Sequence, residues 1–353
     1  AGNAFVVDGG DPLLRYSTGT ITNTGDGRAV LVQNTTGGSV NMTDSSIEDT
    51  DGQGILINNI GGGAVLDNVT ITKSGAYVPT TTNDGIYVTG GTANAVVTFR
   101  NTAQAATIID GATGPSIFVE DYQGVFQMQD ISILNRAGAG ILVENLSGNM
   151  SVVGNTTMTN GASAATDHGI DVNNTSGNIS FGGSLGITGS NGEGISFNNG
   201  GNTGVFSVTG TTTVTGTANE AIIVLDDSPV LRFGNAVLSN NSTTNSVVLI
   251  NNAGQGGTAG QVSFNNATVT GTTGATVPVV HILNNTPIVS FGSLNVTANS
   301  AAFTAPPPIV PAVGVYVQDN PGNVNFGDLN ITATDNLAFI ANSLLQNEAA
   351  KAP

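Results

Sequence analysis

Apolar residues recur along this chain as short alternating triplets, each followed two positions later by Asn, Asp or Gly. The triplet Ile55-Leu56-Ile57, followed by Asn58-Asn59, sets the pattern for the rest. Aligned on its first residue, the chain yields Val30, Ile55, Ile86, Ile117, Ile141, Ile170, Ile195, Ile222, Val248, Val280, Val315 and Ala338, at intervals of 23 to 35 residues. Two positions on, every residue is apolar, from Val32 and Ile57 to Val317 and Ile340. Four positions on stand Asn34, Asn59, Gly90, Asp121, Asn145, Asn174, Asn199, Asp226, Asn252, Asn284, Asp319 and Asn342. Asn, Asp and Gly enter the left-handed backbone region at least cost, so this column predicts one sharp turn repeated. Alternation of period two predicts strands, and a repeat of roughly 20–50 residues predicts a solenoid.

A second inward column follows each triplet: Met42, Leu66, Phe99, Met128, Val153, Phe181, Val208, Phe233, Phe264, Phe291 and Phe326. A third alternating strand comes next, as in Val69-Thr70-Ile71, Leu185-Gly186-Ile187 and Leu329-Asn330-Ile331. Three strands per coil predict an all-β, single-domain parallel β-helix over residues 1–342, of about twelve rungs and roughly 55–60 Å long. Residues 343–353 are expected to form a tail or short helical cap, with Leu344, Leu345 and Glu348 on a candidate turn of helix. The widest turns are expected at Thr72–Asp84 and at Thr297–Val313, which carries Pro306-Pro307-Pro308. Phe5-Val6-Val7-Asp8 reads as a strand with nothing before it to cover the first rung, so the chain is expected to be cut from a longer protein or to meet another copy at its ends.

The amide ladder at Asn34, Asn59, Asn145, Asn174, Asn199, Asn252 and Asn284 and the Phe stack from Phe233 to Phe326 are similar to internal ladders of the right-handed parallel β-helix (pectate-lyase-like) family. The resemblance covers nearly the whole chain. It implies right-handed winding, which parallel crossovers favour in any case. That family spans polysaccharide lyases and hydrolases, phage tailspikes, adhesins and surface filaments.

Composition narrows these choices. Seven basic against 24 acidic residues give a net charge of −17, which argues against nucleic acid and anionic membranes as partners. No apolar run approaches the ~20 residues of a membrane helix. Zero cysteines remove disulfides and thiolate metal sites. A charge-poor solenoid rich in Asn, Thr and Gly is expected outside a cell or at its surface, in a prokaryote.

The residue between the two inward positions of the first strand faces out. That row reads Leu31, Leu56, Tyr87, Phe118, Leu142, Asp171, Ser196, Ile223, Leu249, His281, Tyr316 and Phe339. Nine of the twelve (all but Asp171, Ser196 and His281) are large and apolar, whereas outward positions of the second and third strands are mostly polar or small, as at Gln127, Ser180, Thr157 and Thr268. Five consecutive apolar rungs span roughly 24 Å. A contiguous patch of this kind marks an interface. Self-association or another surface protein is the expected occupant; cover by the chain's own loops and carbohydrate stacking on the aromatics are the alternatives.

Candidate chemistry is sparse. Two residues before the anchor, His168, Glu193 and Glu220 fall on successive rungs, where stacked carboxylates would shift one pKa upward or share a cation; the plain expectation is solvated turn residues. The pairs Asp226-Asp227 and Asn284-Asn285 are expected to be explained by the turn. Asp44, Glu48, Asp49 and Asp51 form an acidic turn that could hold calcium, but without a calcium-loop spacing the expectation is no cofactor. Uronate recognition and proton abstraction call for clustered Arg and Lys, which the seven basic residues do not supply. The expectation is a non-enzymatic extracellular structural or adhesive rod; a polysaccharide-binding or polysaccharide-degrading enzyme is the alternative.

Overall fold

The computed structural model describes residues 2–24, 27–49, 52–73, 84–160, 167–198, 201–251, 253, 260–273, 277–285, 288–300, 313–333 and 339–342. Among them there is no helix, and every strand pairing is parallel. The chain is an all-β parallel solenoid of about ten turns. Thirteen strands stack on the first face, from Phe5–Asp8 through Ile55–Ile60 and Ile170–Asn173 to Phe339–Asn342.

The anchor column is the spine of the core. Val30, Ile55, Ile86, Ile117, Ile141, Ile170, Ile195, Ile222, Val248, Val280 and Val315 pair in unbroken register and are each 0% exposed. The last rung departs from the expected register. Phe339 pairs with Val315 and Ile340 with Tyr316, so Phe339 takes the anchor position and Ile340 the outer row. A second one-residue correction falls at Val153, which is 66% exposed; Val152 pairs with Met128 and holds the inward place. There, Met150 and Val152 alternate correctly, and the apolar pair Val152-Val153 hides which is the strand's last inward residue.

The second and third faces form one continuous 17-stranded sheet rather than two. In the middle of the rod they are separate strands, such as Asn149–Val152 and Thr156–Asn160. Toward both ends they fuse into long strands, such as Leu13–Asn23, Val205–Thr217 and Ile288–Ser300. Thr18, Asp44 and Asn68 take the corner between these faces with φ of 56°, 49° and 55°. Inside the rod, Phe233, Phe264, Phe291 and Phe326 stack at 4.8, 4.9 and 5.6 Å with rings within 11° of parallel. In-register pairing places ring over ring, and each offset pair adds about 0.5–1.5 kcal/mol beyond area burial.

The repeated turn after the first strand is left-handed at Asn34, Asn59, Gly90, Asp121, Asn145, Asn174, Asp226, Asn284 and Asp319. Asn199 and Asn252 lie outside the described residues. The ladder is external, not internal: Asn59 Nδ2 donates to Asn34 Oδ1 (3.1 Å) and Asn174 Nδ2 to Asn145 Oδ1 (2.6 Å), both in solvent. The internal amide ladder sits elsewhere in the turn, at Asn202, Asp227, Asn285 and Asn320. Asn202 Nδ2 donates to Val172 O, Asn285 Nδ2 to Ile250 O and Asn320 Nδ2 to Ile282 O, at 2.8 to 3.0 Å. The Asp226-Asp227 and Asn284-Asn285 pairs therefore divide their labour. The first member takes the left-handed bend, and the second turns inward and is buried.

The expected acidic turn is instead part of a strand: Asp44 and Glu48 belong to Ser39–Asp49, and Asp44 Oδ1 accepts from Asn68 Nδ2 at 2.8 Å. Asp51 lies outside the described residues, as do most of the two wide turns (74–83 and 301–312) and the expected helix at 343–350.

A left-handed non-glycine residue costs about 1–2 kcal/mol, less for Asn, whose side chain bonds locally. Asn145 has φ 52° and also accepts from Asn174. Asn145→Ala should therefore lose more stability in urea unfolding than Asn145→Gly, which gives up only the side-chain bond. Equal losses would show that backbone strain plays no part at this turn.

Candidate binding face

The outer surface of the first face collects most of the candidate residues. Its apolar row is not bare. Leu31, Leu56 and Ile223 are 4%, 5% and 7% exposed, yet stand outside the core cluster that holds their strand neighbours. They are outward-facing and covered. Tyr87, Phe118, Leu142, Leu249, His281 and Tyr316 are half-buried. Tyr87 and Phe118 stack at 4.7 Å and 7°, and His281 and Tyr316 at 5.3 Å and 18°. Both pairs follow from parallel register, which sets Phe118 on Tyr87 and Tyr316 on His281. Phe339 leaves this row by the register shift of the last rung.

Beside the row runs a second outward column, in which Glu120 pairs directly with Glu144. The Tyr87 hydroxyl contacts Glu120 Oε2. Burial first, then the neighbouring Glu120 and Asp171, hold the Glu144 carboxyl above its usual range. Like charges opposite each other in a ladder are unfavourable, and here the sheet register leaves them no alternative.

On the other flank, His168, Glu193 and Glu220 are not solvated turn residues. Their backbones are bonded rung to rung, through Gly169 N to Glu193 O and Gly194 N to Glu220 O, both 2.9 Å. His168 Nδ1 lies 2.5 Å from Glu193 Oε2. Burial opposes the His168 cation, but the Glu193 carboxylate, with Asp171 and Asp167 behind it, raises its pKa overall. The contact with His168 outweighs burial at Glu193 and holds that carboxyl below its usual range, helped by Asn219. Glu220 is 8% exposed; burial, then Glu193, pushes it up. Two carboxyls one rung apart are thus driven in opposite directions.

Sequence reasoning missed what supports this column. Arg136 is 0% exposed and reaches across the corner beneath His168. It pairs with Asp167 at 3.3 Å, donates to Gly138 O and His168 O at 2.9 Å each, and to Ser190 Oγ at 2.6 Å. Asp167 Oδ1 also accepts from Asn191 N at 2.7 Å. These partners lie 2 to 54 residues from Arg136, and no other described rung repeats the set, so no column announces it. Breaking such a buried pair by removing one partner costs about 3–5 kcal/mol. Among the described residues no three His, Asp or Glu side chains are placed to hold a metal ion.

The pH dependence has a definite sign. Folded Glu220 has a raised pKa, so it favours the fold at low pH, and that contribution is lost as pH rises through the raised value. The His168–Glu193 pair favours the fold between the lowered Glu193 value and the raised His168 value. Glu220→Gln should therefore unfold at higher urea concentration than the parent at about pH 7 and gain little at about pH 4. A gain of the same size at both pH values would exclude titration of Glu220 as the cause.

No protein-family model, characterised protein or solved structure matches this chain. The likeness to pectate-lyase-like proteins accordingly stands at the level of the parallel β-solenoid fold.

Proposed function

We propose that this chain is an extracellular, non-enzymatic structural or adhesive rod that associates with its own copies or with a surface protein through the first face. The observation that carries the reading is the Tyr87–Phe118 stack, half-buried on the outward row and continued by Leu142. A stacked aromatic pair with one side still open presents a large apolar area that the sheet has already ordered. The same parallel ladder that stiffens the rod keeps these side chains in a fixed line. No cofactor enters this reading, and the net charge of −17 sets nucleic acid aside as a partner.

Changing Tyr87 and Phe118 together to Ser should leave the cooperative unfolding of the rod in place and reduce filament formation or surface adhesion, followed by electron microscopy and sedimentation. Undiminished assembly and adhesion in the double variant would move the interface off this row.

One observation favours a second reading, polysaccharide hydrolysis. Glu193, lowered by its contact with His168, beside Glu220, raised by burial, is a separation of the kind that acid–base chemistry on a glycosidic bond uses. Incubation with a panel of acidic polysaccharides, with and without calcium, decides between the two. The rod reading expects no new reducing ends and no unsaturated products; their appearance, and their loss in Glu220→Gln, would replace it.

A further inference from the structure

The third face differs from the first in being open and almost monotonous. One outward row runs Thr159, Thr188, Thr215, Ser239, Thr270, Thr297 on six successive strands, every side chain exposed or half-exposed. The ladder sets Thr159 against Thr188, Thr188 against Thr215, Ser239 against Thr270 and Thr270 against Thr297; between Val214 and Thr217 the register shifts at a bulge, so the row consists of two aligned runs of three. A neighbouring row, two residues earlier in each strand, carries Thr157, Thr213 and Thr268 on alternate rungs. Within each run the hydroxyls therefore repeat every ~4.8 Å along the rod, and the neighbouring row, ~6.7 Å across, carries one on every second rung.

Two further features set this surface apart. From Thr156 to Asn160, and at the matching positions of the next five strands, it contains no Asp, Glu, Lys or Arg. In addition, the hydroxyls of Thr188, Thr215 and Thr270 have no protein partner among the described residues and are left to water, whereas those of Thr157 and Thr159 donate to Ile131 O and Ile133 O at 3.5 Å. Thr holds its hydroxyl and methyl in few χ1 positions, and neighbours above and below restrict it further. Water bonded to such a row is spaced by the sheet, and the methyl groups between offer no competing bond. Charged side chains, which would impose their own tighter hydration, are missing.

We propose that the third face binds the surface of ice. The ~4.8 Å spacing within each run lies close to an oxygen repeat of hexagonal ice, so the ordered water layer can be shared between protein and crystal. Many weak, equally spaced contacts on a rigid plane then add without further ordering of the protein. The proposal is independent of the first-face interface and engages the opposite kind of ligand, one that is periodic.

The test uses the purified chain in ice-recrystallisation and single-crystal growth assays. The parent should suppress recrystallisation and facet a growing crystal. Thr215→Lys and Thr270→Lys place a charge in the row and should each abolish both effects, with unchanged circular dichroism. Ser180→Lys, on the second face, should retain them. Thr188→Lys replaces either row variant that fails to fold. A parent chain without effect on ice growth overturns the proposal, as does full activity in the row variants or loss of activity in Ser180→Lys.

Discussion

The structure depends on one constraint: each coil is bonded to the next in parallel register, so a residue's nearest ladder neighbour is its own counterpart one turn away. Ile55 meets Ile86, Phe264 meets Phe291, Glu120 meets Glu144. A side chain must therefore tolerate a copy of its own kind at ~4.8 Å. Apolar groups, amides and hydroxyls do so readily, because an amide both donates and accepts and aromatic rings stack. Ionised groups do not. The constraint accounts for a chain with only 9% charged residues, and where two acids do meet, burial first and then Glu120 raise the Glu144 carboxyl.

Charges that enter the rod do so at corners, where partners come from loops and backbone rather than from the column. Arg136 directs its guanidinium to two carbonyls, Asp167 and a serine two coils on. Asp227 stands in the internal amide ladder at a place Asn285 and Asn320 fill in later rungs. Burial pushes its carboxyl up, although Asn202 N and Ser228 N both donate to Oδ1, at 2.9 and 2.8 Å. Both residues obey the same rule. At both places the turn supplies hydrogen bonds that the ladder itself cannot.

What is legible in the chain follows the same logic. The anchor column and the left-handed turn are legible because each recurs at one offset and each has a steric reason, β-branched packing in one case and αL tolerance in the other. Asn34 through Asp319 announce their backbone role, but their apolar context suggests an internal ladder. Only the structure separates the bending residue from its inward neighbour, since both are Asn or Asp at 226–227 and 284–285. The sequence is ambiguous at Val153, where two adjacent apolar residues satisfy either register, and at Phe339, where Ala338, Phe339 and Ile340 do so. The Arg136 network is illegible because its geometry is assembled from three coils at once. The cover over Leu31 and Leu56 is illegible for a simpler reason: alternation tells which way a side chain points, not what stands in front of it.

A stacked coil can specialise its surface only by rows, and the outward rows of the first and third faces have specialised differently. On the first face the open part of the row is broken into short patches: aromatic at Tyr87 and Phe118, aliphatic at Leu142, acidic at Asp171, aliphatic at Leu249, and aromatic again at His281 and Tyr316, with Ser196 and Ile223 buried between them. Patches of distinct chemistry a few rungs long suit a partner that is itself irregular, because each patch can match one part of it and reject others. On the third face the row repeats a single chemistry for six rungs, which gives no address to an irregular partner. Such a row gains only when its ligand has the same repeat, since every added rung then contributes one more identical contact. The two rows therefore differ in how often each changes its residue, and the ladder makes that frequency visible along the described coils.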